Sequence, residues 1–306
     1  RIIILVFTEK GRGGKVLDLN KKLNQIKIRD IIIIYLFSTF IVSGIIFGIV
    51  KINQKEVENF ILNTLTLILQ LVVLIILVLK IKLSKQDIVF LYEDFKKKID
   101  KRELFNVTFI KICIALGGGK LIISFLYFID PSIVNNFIYE SSSLINTFRN
   151  YILNVVLLVM IAPVVDEIVF RGVIFNRIIQ KFNLCVGIIV SSIIYASFYA
   201  GSGIAGAFAL GIINCILYIK YRNILINIFV NFINNVIVLI SVLPVVNKNV
   251  NDMIITYSNV IINIFFGSIF CIGGIYLLIK FINKNSDVLI SYDKYVKTHK
   301  ELNIKT

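Results

Sequence analysis

The sequence predicts an all-α, polytopic membrane protein of about eight transmembrane helices, and three observations carry that expectation. Apolar residues fill 58% of the 306 positions and charged residues only 17%, whereas a water-soluble domain carries about a quarter charged. The mean hydropathy is +0.88. The charges are clustered, and between clusters run apolar stretches on the order of 20 residues, the length a helix needs to cross a hydrocarbon core of about 30 Å. Alternating strand patterns are absent, which excludes a membrane barrel.

Spans are expected at residues 31–50, 60–79, 107–129, 151–170, 184–200, 204–219, 224–243 and 260–279. Residues 1–30 read as a basic cytoplasmic segment, 31–279 as the transmembrane domain and 280–306 as a cytoplasmic tail. Arg1 is not an initiator residue, so residues are expected to precede it. The run Ile2–Phe7 is too short to span or to serve as a secretory signal.

Orientation follows from Lys and Arg in the connections. Residues 1–30, 80–106, 171–183, 220–223 and 280–306 hold 27 of the 33 basic residues, and the alternate connections hold four. The asymmetry places both ends in the cytoplasm of a multi-pass cell-membrane protein. A net charge of +15 is accounted for by flanking residues that meet anionic lipid headgroups, not by nucleic acid.

The remaining two, Lys111 and Lys120, fall within the third span. Gly117-Gly118-Gly119-Lys120 lacks the spacing of a phosphate loop and reads as a flexible or close-packed point in a membrane helix, with Lys120 expected to meet a carboxylate. Cys113, Cys185, Cys215 and Cys271 are widely spaced in apolar segments and read as small core residues.

Polar residues inside spans are costly in lipid and mark candidate sites. In Val164-Val165-Asp166-Glu167-Ile168-Val169-Phe170-Arg171-Gly172, adjacent carboxylates point about 100° apart on a helix. Glu167 and Arg171 are four apart, a spacing that suits an ion pair, which leaves Asp166 the freer carboxylate and the candidate base. A second signal is the ladder Asn223, Asn227, Asn231 and Asn235, with Asn234 beside the last. Such amides bind helices together or line a wet cavity. Tyr195 and Tyr199 give the fifth span a weaker polar edge.

These three segments, in this order, resemble the CPBP family of CAAX-protease and bacteriocin-processing intramembrane proteases, also called the Abi family. Its pattern is Glu-Glu-x-x-x-Arg, then Phe-x-x-x-His, then His-x-x-x-Asn, and the resemblance covers roughly residues 107–279. It implies a water-activating carboxylate at Asp166, structural roles for Glu167 and Arg171, an assisting group at Tyr199, and oxyanion donors at Asn231 and Asn235. Tyr195 stands where the family has Phe. Both motif histidines are thus replaced, by Tyr199 and Asn231, and Asp166 is one methylene shorter than Glu. The chain's one histidine, His299, lies in the polar tail.

The chemical cost of these replacements is large. A phenol titrates near 10 in water against about 6.5 for imidazole, so Tyr199 is a poor proton acceptor. A retraction of about 1 Å costs on the order of 100-fold where geometry matters. The expectation is therefore a family member with lost or reduced proteolysis that acts as a membrane binding or regulatory partner for a transmembrane or lipid-modified peptide. The alternatives are a divergent endopeptidase cleaving prenylated or bacteriocin-type peptides, and a bacteriocin-immunity or transporter-like role. No cofactor is expected: the His and Cys ligands of zinc are missing from these motifs, and Asp166, Glu167 and Asn235 suit only a hard divalent cation.

Overall fold

A computed structural model describes residues 22–23, 26–53, 59–143, 147–199, 201–243 and 255–304. Most of the expected N-terminal segment, Ile2–Phe7 included, lies outside the described residues, as does the side chain of His299. Among the described residues the secondary structure is helical, without strand: α1 (Ile28–Asn53), α2 (Asn59–Ile81), α3 (Lys85–Lys98), α4 (Lys101–Ile129) and α5 (Pro131–Ser143) come first. They are followed by α6 (Phe148–Lys181), α7 (Leu184–Ala196), α8 (Gly203–Tyr221), α9 (Ile224–Val242), α10 (Tyr257–Lys284) and α11 (Ser286–Ile304).

The helix starts are written locally. Ser84 and Asp87 form a reciprocal capping box at α3, Asp100 accepts from the backbone of Arg102 and Glu103 at α4, and Asn183 accepts from Val186 at α7. Each cap satisfies an N–H that the first helical turn leaves unpaired.

Among the described residues, seven helices are long and apolar enough to cross a membrane: α1 over Ile28–Gly48, then α2, α4, α6, α8, α9 and α10. The chain is a multi-pass membrane protein. The expected span at 184–200 is instead the 13-residue α7, about 20 Å long. It stops at Ala196, and the chain turns through Gly201, whose φ of +51° is open to glycine at little cost. A Cβ there would also strike the ring of Phe137.

Three expected connections are helical instead. Residues 80–106 contain α3, and 171–183 continue α6 as far as Lys181. Arg171 is therefore no flanking charge: it is 1% exposed within the bundle. The expected tail begins within α10 and continues as α11, which packs on α8. Tyr292 of α11 is buried, and the Arg222 guanidinium stands 4.4 Å over its ring. Low overall hydropathy hid this helix, because a single aromatic and aliphatic stripe suffices to dock it.

The centre of the bundle is α8, with 67% of its span buried against 39% or less for the others. The triple glycine lies where α4 meets α8 and α10. A Cβ on Gly117 would collide with the backbone of Cys271, one on Gly118 with Ala205, and one on Gly119 would stand 3.0 Å from the Ser202 carbonyl. Of the two expected readings, flexible or close-packed, the structure shows close packing. Lys120, in contrast, donates to the amide oxygen of Asn263 at 2.8 Å, not to a carboxylate. Of the cysteines, Cys113 and Cys215 are buried and Cys271 is half-buried, but Cys185 is exposed in the first turn of α7.

Candidate functional site

The polar residues of α6 sit in an interrupted helix. Pro163 has no N–H and its ring clashes with the preceding turn, and the helix winds as π over Val156–Ile161 and again over Ile168–Phe175. Asp166 and Glu167 end the short α-helical piece between the two π segments. Such wide turns recur at functional sites.

Glu167 and Arg171 form an ion pair at 3.0 Å, with side chains 0% and 1% exposed. The Glu167 Oε1 atom also accepts from Asn214 at 2.8 Å and from Asn231 at 3.4 Å. Arg171 is held further by the Leu210 and Gly211 carbonyls at 3.4 and 3.2 Å, and it stands 4.6 Å over the Tyr195 ring. These contacts offset part of the cost of burying the pair, while Arg171 Nε and Glu167 Oε2 have no hydrogen-bond partner among the described residues.

Asp166 is half-buried and makes no ion pair among the described residues. The Asn231 amide lies beside its carboxylate, and the hydroxyls of Tyr35, Tyr195 and Tyr199 are within its electrostatic reach. Tyr199 lies beyond the end of α7, in the turn after it, yet its hydroxyl meets that of Tyr195 at 2.7 Å.

The asparagine ladder divides. Asn223 caps α9 and its amide donates to Leu91 O and Asp94 Oδ2 of α3, both at 2.9 Å. Asn227 donates to the Asn214 carbonyl at 2.6 Å and Asn234 to its own helix at Val230. Asn235 donates to the Leu158 carbonyl in the first π segment, at 2.6 Å. Asn231 and Asn235 thus both face α6, while Asn223 belongs to another network.

Two neighbours of the cluster have no place in the sequence motifs. Asn214, fully buried on α8, is the tightest amide partner of Glu167, and its signal was a single amide in an otherwise apolar span. Tyr35 on α1 was a lone phenol within Ile31–Phe37. Glu167 Oε2 and the Oδ1 atoms of Asn214, Asn227 and Asn231 are buried and have no hydrogen-bond partner among the described residues.

Residues 148–237 match the family model described as Type II CAAX prenyl endopeptidase Rce1-like. That region carries the CPBP resemblance. It runs from the start of α6 into α9 and takes in every element of the cluster except α1, a narrower stretch than the 107–279 expected from motif order. Comparison with curated proteins and with solved structures gave no match. Asp166, Glu167, Arg171, Tyr199, Asn231 and Asn235 all lie within the stretch that is similar to the Rce1-like family.

The donor set around Asp166 and Glu167 is carboxylate, amide and phenol. Zinc favours thiolate and imidazole, and one Glu167 oxygen is already occupied by Arg171 and two amides. Among the described residues no three His, Cys, Asp or Glu side chains gather as a ligand group. These residues do not fit zinc.

Proposed function

We propose that this protein is a CAAX protease-like membrane protein with lost or reduced proteolytic activity, which captures a transmembrane or lipid-modified peptide segment between α6, α7 and α9. One observation carries the reading: the two positions that hold imidazoles in the family pattern are Tyr199 and Asn231, bonded to Tyr195 and Glu167. Neither is a proton acceptor suited to neutral pH. The unpartnered acceptors of Glu167, Asn214, Asn227 and Asn231 favour capture of a group that brings N–H donors, such as a peptide backbone.

The reading includes residence in the cell membrane with both ends cytoplasmic, which requires the short apolar α7 to make an eighth crossing beside the seven long helices, and it needs no cofactor. The concentration of basic residues in alternate connections supports that orientation. So do two contacts, Lys22 with Asp87 and Arg222 with Tyr292, which tie the first and last described segments to neighbouring connections.

The test uses purified protein in nanodiscs with a farnesylated C-terminal peptide. Binding by fluorescence anisotropy without hydrolysis by mass spectrometry is the expected result. Hydrolysis that disappears in Asp166→Ala would overturn it and favour the second reading, a divergent endopeptidase with Asp166 as base and Asn231 and Asn235 as oxyanion donors. That alternative draws on Asp166 being half-buried and outside any ion pair. Unchanged turnover in Asp166→Asn would exclude it.

A further inference from the structure

α3 connects two membrane-crossing helices, α2 ending at Ile81 and α4 beginning at Lys101, so it lies at the surface of the bilayer. Its inner face is held by the bundle. Asp87 and Leu91 are buried, Asp87 accepts from Lys22 at 2.8 Å, and Lys98 donates to the Tyr221 carbonyl at 2.9 Å.

Its outer face is different. Ile88, Val89 and Tyr92 are 54%, 56% and 51% exposed, and Lys85 and Lys96 bracket them along the same stripe. Lys96 Nζ stands 4.5 Å over the Tyr92 ring. Lys82, Lys97, Lys101 and Arg102 are exposed around this face, against the exposed carboxylates Glu93 and Asp100. An apolar stripe with lysines at both ends matches a headgroup layer: the side chains enter the acyl boundary and the ammonium groups reach phosphate. The cationic excess matches negatively charged lipid.

We propose that the outer face of α3 docks on anionic lipid headgroups, with Ile88, Val89 and Tyr92 seated at the acyl boundary and Lys85 and Lys96 paired with lipid phosphates. The chain contains no tryptophan, so Val89→Trp supplies a unique fluorescent reporter. The protein carrying it is reconstituted in nanodiscs of phosphatidylcholine, with and without phosphatidylglycerol. With phosphatidylglycerol, emission should shift to the blue, be quenched by lipids brominated near the carbonyl, and resist aqueous iodide. Adding Lys85→Glu and Lys96→Glu should abolish most of the brominated-lipid quenching while the melting temperature stays unchanged. Equal iodide quenching in both lipid mixtures would overturn the proposal. So would brominated-lipid quenching that is indifferent to phosphatidylglycerol, or emission shielded from both quenchers, which would mean that protein covers this face. The lipid and iodide contrast needs only the reporter variant, so it stands even where the charge-reversed variant fails to fold.

Discussion

Asn214 on α8 donates to Glu167 on α6 at 2.8 Å, inside a region where neither side chain reaches solvent. With Arg171 it holds one Glu167 oxygen in place, whereas Asp166 makes no ion pair among the described residues. Replacing Asn214 with Leu removes a donor from a buried acceptor, which costs about 1–3 kcal/mol. Thermal unfolding of the purified protein should show that loss, with Asn214→Asp no better than Asn214→Leu because it sets a second carboxylate against Glu167.

The Glu167–Arg171 pair predicts a non-additive pattern. Arg171→Met leaves a buried carboxylate uncompensated and should destabilise by about 3–5 kcal/mol. The double variant Glu167→Gln with Arg171→Met should recover much of that loss. A double-mutant cycle on unfolding free energies reads the coupling directly, and simple additivity would mean that the pair is not a unit.

Introducing the reactive groups of the CPBP pattern is the sharpest test of the proposed loss of activity. On the proposed reading, the triple variant Asp166→Glu, Tyr199→His and Asn231→His should cleave a farnesylated peptide, and the parent protein should bind it without cleaving it. Within that variant, Asn235→Ala should lower turnover by about 10²–10³, the usual cost of one oxyanion donor. No product from a folded triple variant would show that more than these three side chains separates this site from an active one.

The glycines of α4 and α10 predict effects of opposite sign. A Cβ on Gly273 meets nothing within 4 Å, so Gly273→Ala should stabilise its helix by about 0.5–1 kcal/mol. A Cβ on Gly117 would lie 2.7 Å from Cys271 Cα and 2.8 Å from the Gly267 carbonyl. Gly117→Ala should therefore destabilise by about 1–3 kcal/mol through overpacking. Melting temperatures in one detergent separate the two.

Asp87 gives a pH dependence outside the spans. Its hydrogen bond from Lys22, then those from Ser84, hold its carboxyl down at about 2. A depressed folded-state value means that the stabilisation is complete above the ordinary carboxylate value near 3.9 and is lost as pH falls through about 2. The stability gap between the parent and Asp87→Asn should be constant from pH 7 to pH 5 and close as pH falls from about 4 towards 2. A gap that closes between pH 6 and 8 would contradict this.

The sequence exposed what depends on local spacing or on bulk hydropathy. Long apolar runs marked the spans, and a spacing of four marked the Glu167–Arg171 pair. What it hid depends on distant partners. The amide oxygen that receives Lys120 is 143 residues away, so no pattern near Lys120 distinguishes it from a carboxylate. The four-residue period of the asparagines looked uniform, yet Asn223 falls on the helix start and becomes a cap. The π winding of α6 was also hidden, although Pro163 announced a disturbance. α3 and α11 were missed because a helix docked on the bundle needs only one apolar stripe.

The backbone-to-backbone meeting of α4 and α10 restricts how this bundle can breathe. At Gly117 the two backbones approach with no side chain to re-orient between them, so a relative shift at that point has no rotamer change to absorb it. α9 and α6 instead touch through the flexible amides of Asn231 and Asn235, which can change partners without breaking a helix. On the proposed reading, a guest segment would enter along the α6–α9 boundary and not across the Gly117 contact.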